Sequence, residues 1–79
     1  MALKIFLSAT LRDCHPGYKP SEGIDLDQKE VISVAALFEK LKIPREMVKI
    51  VMVNGVGVPF DHVLEGNERV AFFPPVGGG

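Results

Sequence analysis

An α+β domain with the element order ββαβββ, one main helix lying on one face of a sheet of four to five strands, is the fold this sequence predicts. Three observations predict it. Only one segment has a clear helical period: Val34, Leu37, Phe38 and Leu41 fall at i, i+3, i+4 and i+7 and form one apolar stripe. Short segments over 2–8, 22–26, 48–53, 56–60 and 69–73 carry the alternation or β-branched residues of strands. At 79 residues, 47% hydrophobic and 24% charged, the chain is one small globular domain and not a disordered segment.

In the first strand, 2–8, Leu3, Ile5 and Leu7 share one face and Lys4, Phe6 and Ser8 the other. Residues 10–20 read as a loop, because Arg12, Asp13, Pro16, Gly17 and Pro20 are polar or turn-forming. Ile24 and Leu26 point one way and Asp25 the other, giving a second strand that forms a hairpin with the first. Ser33 is the expected N-cap of the helix, since its hydroxyl can accept from a first-turn amide. Ala35 and Ala36 favour the helix at little entropic cost. Pro44 is the expected stop, and Pro44-Arg45-Glu46 the start of a short extra turn. Residues 48–53 (VKIVMV) form a central strand that is apolar on both faces, with Val48, Ile50 and Met52 on one and Val51 and Val53 on the other. Either face fits the inward role. Asn54-Gly55 tolerates positive φ and predicts a tight hairpin turn. The strand over 56–60 carries Pro59 and belongs at an edge. Asp61 to Leu64 reads as a single turn capped by Asp61, Glu65 to Glu68 as another turn, and 69–73 (RVAFF) as the last strand. Pro74-Pro75 then stops regular structure, dividing the chain into a body, 1–73, and an extended tail, 74–79.

Composition excludes several functions. Nine basic residues against ten acidic ones leave a net charge of −1, without the basic excess of a nucleic-acid or membrane-surface binder. The single cysteine, Cys14, cannot form an internal disulfide, which favours a reducing cytoplasm. The apolar run Ile5-Phe6-Leu7 is too short for a signal-peptide core, and no stretch approaches a bilayer span. A soluble, cytoplasmic domain is the expectation. A chain this short has little room for a deep catalytic cleft. Cys14-His15 pairs a nucleophile with a base, but neighbours in sequence rarely have the mutual geometry, and no third orienting group is evident. Cys14, His15 and the distant His62 are too few and badly spaced for a metal. Asp61 next to His62 reads as a turn cap before an acid–base pair. Gly55-Val56-Gly57 is followed by no helix to face a phosphate, so it reads as a hairpin turn. No catalytic residue is assigned.

The chemistry points instead to the end, FFPPVGGG. Pro74 and Pro75 fix φ and hold the last residues away from the body. Glycine has no Cβ, so the tip can enter a channel closed to other residues. The group it presents is the α-carboxylate of Gly79. A carboxylate is a poor acyl donor because its leaving group is oxide. Joined to AMP by a partner, it becomes a mixed anhydride. Sulfide, or a persulfide on a partner cysteine whose S–S bond a further thiol then cleaves, displaces AMP and leaves a C-terminal thiocarboxylate. Ordering each tail residue costs on the order of 1–2 kcal/mol, so the partner must also grip the body. One helix covers one sheet face only. The other face, with Phe6, Ile50, Met52 and Phe73 as candidates, is the expected partner interface.

The segment VPFDHVLEGNERVAFFPPVGGG (58–79) resembles the C-terminal part of molybdopterin synthase small subunits, most specifically in FFPPV and the terminal pair Gly78-Gly79. The ββαβββ order and the Asn54-Gly55 turn resemble the wider family of ubiquitin-like sulfur carriers. That resemblance implies the β-grasp, with a mixed sheet. It implies that an E1-like adenylating enzyme, using ATP, activates Gly79, which then becomes a thiocarboxylate. It implies that Pro74, Pro75, Val76, Gly77 and Gly78 insert into the large synthase subunit. There sulfur would pass to a cyclic pterin to build the dithiolene that holds molybdenum or tungsten. The chain itself would bind no cofactor and no metal. Gly77 departs from the pattern, which commonly has a bulkier residue there. Related carriers for thiamine or another acceptor, and modifiers conjugated to lysines, share the diglycine end. An interaction domain with inert glycines is the plainest rival.

Overall fold

A computed structural model describes residues 2–27 and 29–75. Strand β1 (Ala2–Leu7) pairs antiparallel with β2 (Ile24–Asp27), placing Leu3 opposite Leu26 and Ile5 opposite Ile24. The short β3 (Ile32–Ser33) leads into helix α1 (Val34–Leu41). Strands β4 (Ile50–Val53), β5 (Val56–Val58), β6 (Val63–Leu64) and β7 (Arg69–Phe73) follow. The main sheet runs β2-β1-β7-β4-β5. Its middle strand, β7, is parallel to β1 and antiparallel to β4, so the sheet is mixed.

Alternation decides what each strand buries. Leu3, Ile5 and Leu7 of β1, Val51 and Val53 of β4, and Val70 and Phe72 of β7 are buried on the inner face against Val34, Leu37 and Phe38 of α1. Each such side chain contributes about 1.5–3 kcal/mol relative to leaving it in water. Phe38 is the hinge of this packing. Its ring meets Phe72 edge-on at 4.9 Å and Phe60 at 5.0 Å.

Ser33 caps α1 as its sequence predicts, its Oγ accepting from the Ala36 N–H at 3.1 Å. The other end differs from expectation. The helix stops at Leu41, before Pro44, because Lys42 turns into the left-handed region at φ 59°. The Lys42 N–H donates to Glu39 O and the Ile43 N–H to Phe38 O at 2.9 Å, with Ile43 buried. This is a Schellman closure, here without its usual glycine. Pro44 instead precedes a short 3-10 turn, Arg45–Met47, where an extra turn was expected.

Other boundaries move for identifiable reasons. The stretch read as a loop over 10–20 holds a 3-10 helix, Ala9–Cys14. Leu11 of that helix is buried, and Cys14 and Tyr18 pack against the core. Two bonds tie the segment to the end of β1: the Leu7 N–H donates to the Tyr18 hydroxyl at 2.8 Å, and Arg12 Nε donates to Leu7 O at 3.2 Å. Strand β4 starts at Ile50, and Val48, read as sharing a face with Ile50 and Met52, is buried while Ile50 is 50% exposed. The segment 61–64 is not a capped turn throughout. A turn closes from His62 N–H to Pro59 O, and Val63–Leu64 then pair with Ser33 and Ile32 as β6. Strand β5 ends at Val58 and lies at the sheet edge, as Pro59 predicts.

Candidate functional site

The tail springs from the middle of the sheet. At the end of β7, Phe73 O accepts from the Lys49 N–H at 2.8 Å. Pro74 and Pro75 follow with no N–H to donate, so they cannot extend the β-ladder. Pro74 is half-buried and Pro75 exposed. Val76, Gly77, Gly78 and Gly79, the rest of the expected inserting tail and its reactive terminus, lie outside the described residues.

The neighbouring residues Phe72 and Phe73 point to opposite faces. Phe72 is fully buried under α1, and Phe73 is half-buried on the outer face, opposite Ile50 in the β4–β7 register. Phe6 and Met52, both half-buried, flank Ala71 from β1 and β4. All four expected interface residues therefore share the outer face. The apolar side chains of the segment after β1 turn into the core on the inner side.

Ala71 gives this face its relief. A small side chain between Phe6 and Met52 leaves a depression of about 340 Å³ lined by Phe6, Met52, Gly55, Arg69 and Ala71. Phe6 is held by two contacts. The Arg69 guanidinium sits 4.8 Å from its ring centroid, and Gly23 lies so close that a Cβ there would stand 3.1 Å from the ring and 2.8 Å from Ile5 O. Gly23 has φ +72°, so glycine is required twice over. Asn54 fixes the start of β7: its N–H donates to Arg69 O at 2.8 Å, and its Oδ1 accepts from the Arg69 N–H at 3.0 Å. Asn54 and Gly55 both have positive φ, 51° and 84°, the signature of the two-residue turn. Arg69 and Ala71 were missed in the sequence, although the alternation of RVAFF places them beside Phe73.

Glu68 organises the turn before β7. Its carboxylate accepts from the backbone N–H groups of Glu65 at 2.8 Å, Gly66 at 2.9 Å and Asn67 at 3.1 Å. Burial alone would push this carboxyl up. The backbone N–H groups of Glu65, Gly66, Asn67 and Glu68 itself outweigh it and hold the pKa below the usual glutamate value.

Cys14 and His15 are both half-buried at the end of the 3-10 helix. Among the described residues, no group of three or more His, Cys, Asp or Glu is placed to hold a metal. No helix among them is long and apolar enough to cross a membrane.

The model of the ThiS family matches residues 5–79. This chain belongs to the ThiS family. Its members are ubiquitin-like sulfur carriers. Two solved structures share the fold of this ThiS-family chain, each covered in full by it and covering it in full. SAMP1 from Haloferax volcanii matches at TM-score 0.70 and 18% identity. A thiamine biosynthesis protein (ThiS) from Geobacter metallireducens matches at TM-score 0.64 and 24% identity. The fold is the β-grasp. A search of curated proteins gave no match.

Proposed function

We propose that this chain carries sulfur on Gly79 for dithiolene formation in a molybdopterin or tungstopterin cofactor. The observation that carries the reading is the run Phe72-Phe73-Pro74-Pro75-Val76 ahead of Gly78-Gly79. It joins a strand at the centre of the sheet to a donor-free proline pair and then to a tip without side chains. An E1-like enzyme uses ATP to adenylate the Gly79 carboxylate with loss of pyrophosphate, and sulfide sulfur displaces AMP to give the thiocarboxylate. The large synthase subunit takes up Pro74 to Gly79 and supplies the catalytic groups. The chain is its non-catalytic partner, binds no cofactor, and works in the cytoplasm, where thiols stay reduced. Phe6, Ile50, Met52 and Phe73 form the surface on which partners dock.

Family membership favours one other reading, a carrier for thiamine or another sulfur acceptor. Both carriers load alike and differ in what accepts the sulfur. Intact-mass analysis after incubation with the adenylating enzyme, ATP and a sulfur source is the first test. A carrier gains the mass of one oxygen-to-sulfur exchange. High-mass conjugates in extract instead would indicate a lysine modifier, and neither change an inert domain. The loaded chain, mixed with a large synthase subunit and pterin precursor, then makes dithiolene under the first reading and none under the second.

A further inference from the structure

We propose that a second copy of this chain docks against α1, through a groove whose two walls carry opposite charges. The inference goes beyond the carrier reading and does not depend on it.

The groove lies on the helix side of the main sheet, away from the outer face. Its volume is about 240 Å³, and Ala35, Phe38, Glu39, Ile43 and Arg45 line it. Phe38 and Ile43 are buried and form an apolar floor. Glu39 stands on the α1 wall and Arg45 on the wall begun by the 3-10 turn. The local sequence builds this shape. Lys42 closes the helix in the left-handed region and the Ile43 N–H bonds Phe38 O, which turns residues 43–45 back beside the helix. Ala35, small and half-buried, keeps the α1 wall low.

Both rim charges are exposed, and among the described residues neither forms an ion pair. They share one groove without pairing with each other. The Arg45 guanidinium is held instead 5.3 Å from the centroid of the Phe60 ring, which packs edge-on against Phe38. A stacked guanidinium keeps its N–H edge for a carboxylate. An occupant must therefore bring both signs, a carboxylate for Arg45 and a cation for Glu39. This chain carries that pair on the two walls of one groove. In a two-fold contact with its axis along the groove, the α1 wall of each copy faces the 43–45 wall of the other. Glu39 of each copy then meets Arg45 of the other. Their aliphatic stems close over Phe38 and Ile43 from both sides. A net charge of −1 leaves little overall repulsion between the copies. A groove of this size gives an interface below the roughly 1,600 Å² of a stable complex, so the dimer is weak and concentration-dependent. It covers the helix side and leaves both outer faces open to partners.

The test is sedimentation equilibrium of the full chain at concentrations up to about 1 mM, at low and high ionic strength. The parent chain should dimerise, and added salt should weaken the dimer. Glu39→Arg alone and Arg45→Glu alone should each weaken it about tenfold or more, since each sets like charges opposite one another. An equimolar mixture of the two variants should regain the association of the parent chain, because one variant carries cations on both walls and the other carboxylates on both. Thermal melts matching the parent chain show that each variant is folded, and a structural defect in either would not be cured by mixing. A parent chain that stays monomeric, single variants that associate as the parent does, or a mixture no tighter than the variants alone each overturns the proposal.

Discussion

At Glu68 one side chain serves three backbone donors. The turn from Glu65 to Asn67 has no ladder of its own, and the carboxylate satisfies its N–H groups in place of strand pairing. Because the folded pKa lies below the unfolded one, the stabilisation is fully present above the unfolded pKa, about 4.3. It is lost as pH falls through the folded value. Glu68→Gln should therefore cost about 1–2 kcal/mol at neutral pH. In urea melts the gap to the parent chain should shrink on acidification below about pH 4; an equal gap at both pH values would remove the charge from the account. The adjacent pair Phe72 and Phe73 offers a second contrast. Phe72→Ala opens a cavity under α1 and should cost about 3–5 kcal/mol, enough to unfold much of a domain this small. Phe73→Asp, on the outer face, should weaken binding to the adenylating enzyme far more than it lowers the melting temperature. A Phe73→Asp chain that chiefly unfolds would place that ring in the core's energetics instead.

Helix α1 has eight residues, too few to persist alone in water. Its Val34, Leu37 and Phe38 packing and its two ends hold it. Ser33→Ala removes the cap and should cost about 1 kcal/mol. Lys42→Gly should do the reverse, raising the melting temperature, because glycine adopts the left-handed φ without the roughly 1–2 kcal/mol penalty of a side chain. A lower melting temperature for Lys42→Gly would mean that the lysine side chain contributes more than the strain costs. These two ends also show what sequence reading can and cannot reach. Ser33 and the Asn54-Gly55 turn were legible because a side chain or a φ preference states the geometry locally. The closure at Lys42 was not, because no glycine marks it and Ile43 is drawn back by the core. Strands β3 and β6 have two residues each, too few for any alternation, and exist through each other. The Ala9–Cys14 helix hides in polar sequence, since Leu11 alone is buried there. For the candidate site, strand alternation sufficed to put Phe72 and Phe73 on opposite faces. It did not say which face of 48–53 turns inward, because both are apolar, and pairing with β7 decided that for Val51 and Val53.

Across the whole molecule, the buried core and the tail proposed to carry sulfur occupy separate stretches of chain. Every buried core residue among those described lies between Leu3 and Phe72, and the last backbone bond of β7 is made by Phe73 O. The sheet order places β7 between β1 and β4, so the tail leaves from the best-supported strand and not from an edge free to fray. Under the proposed carrier function, the two prolines would limit how much backbone entropy a partner must remove on taking up the tip. This division predicts that deleting Gly78-Gly79 leaves the denaturant midpoint and its slope as in the parent chain, since no described core contact is touched. The same deletion should abolish the oxygen-to-sulfur mass gain, because the new terminus is set back by two residues from the adenylation centre while docking on the outer face is kept. The truncated chain should therefore still compete with the parent for the adenylating enzyme. Loading of the truncated chain at the parent rate would show that reach along the tail does not govern activation, and loss of competition would show that the tip, not the sheet face, supplies the binding.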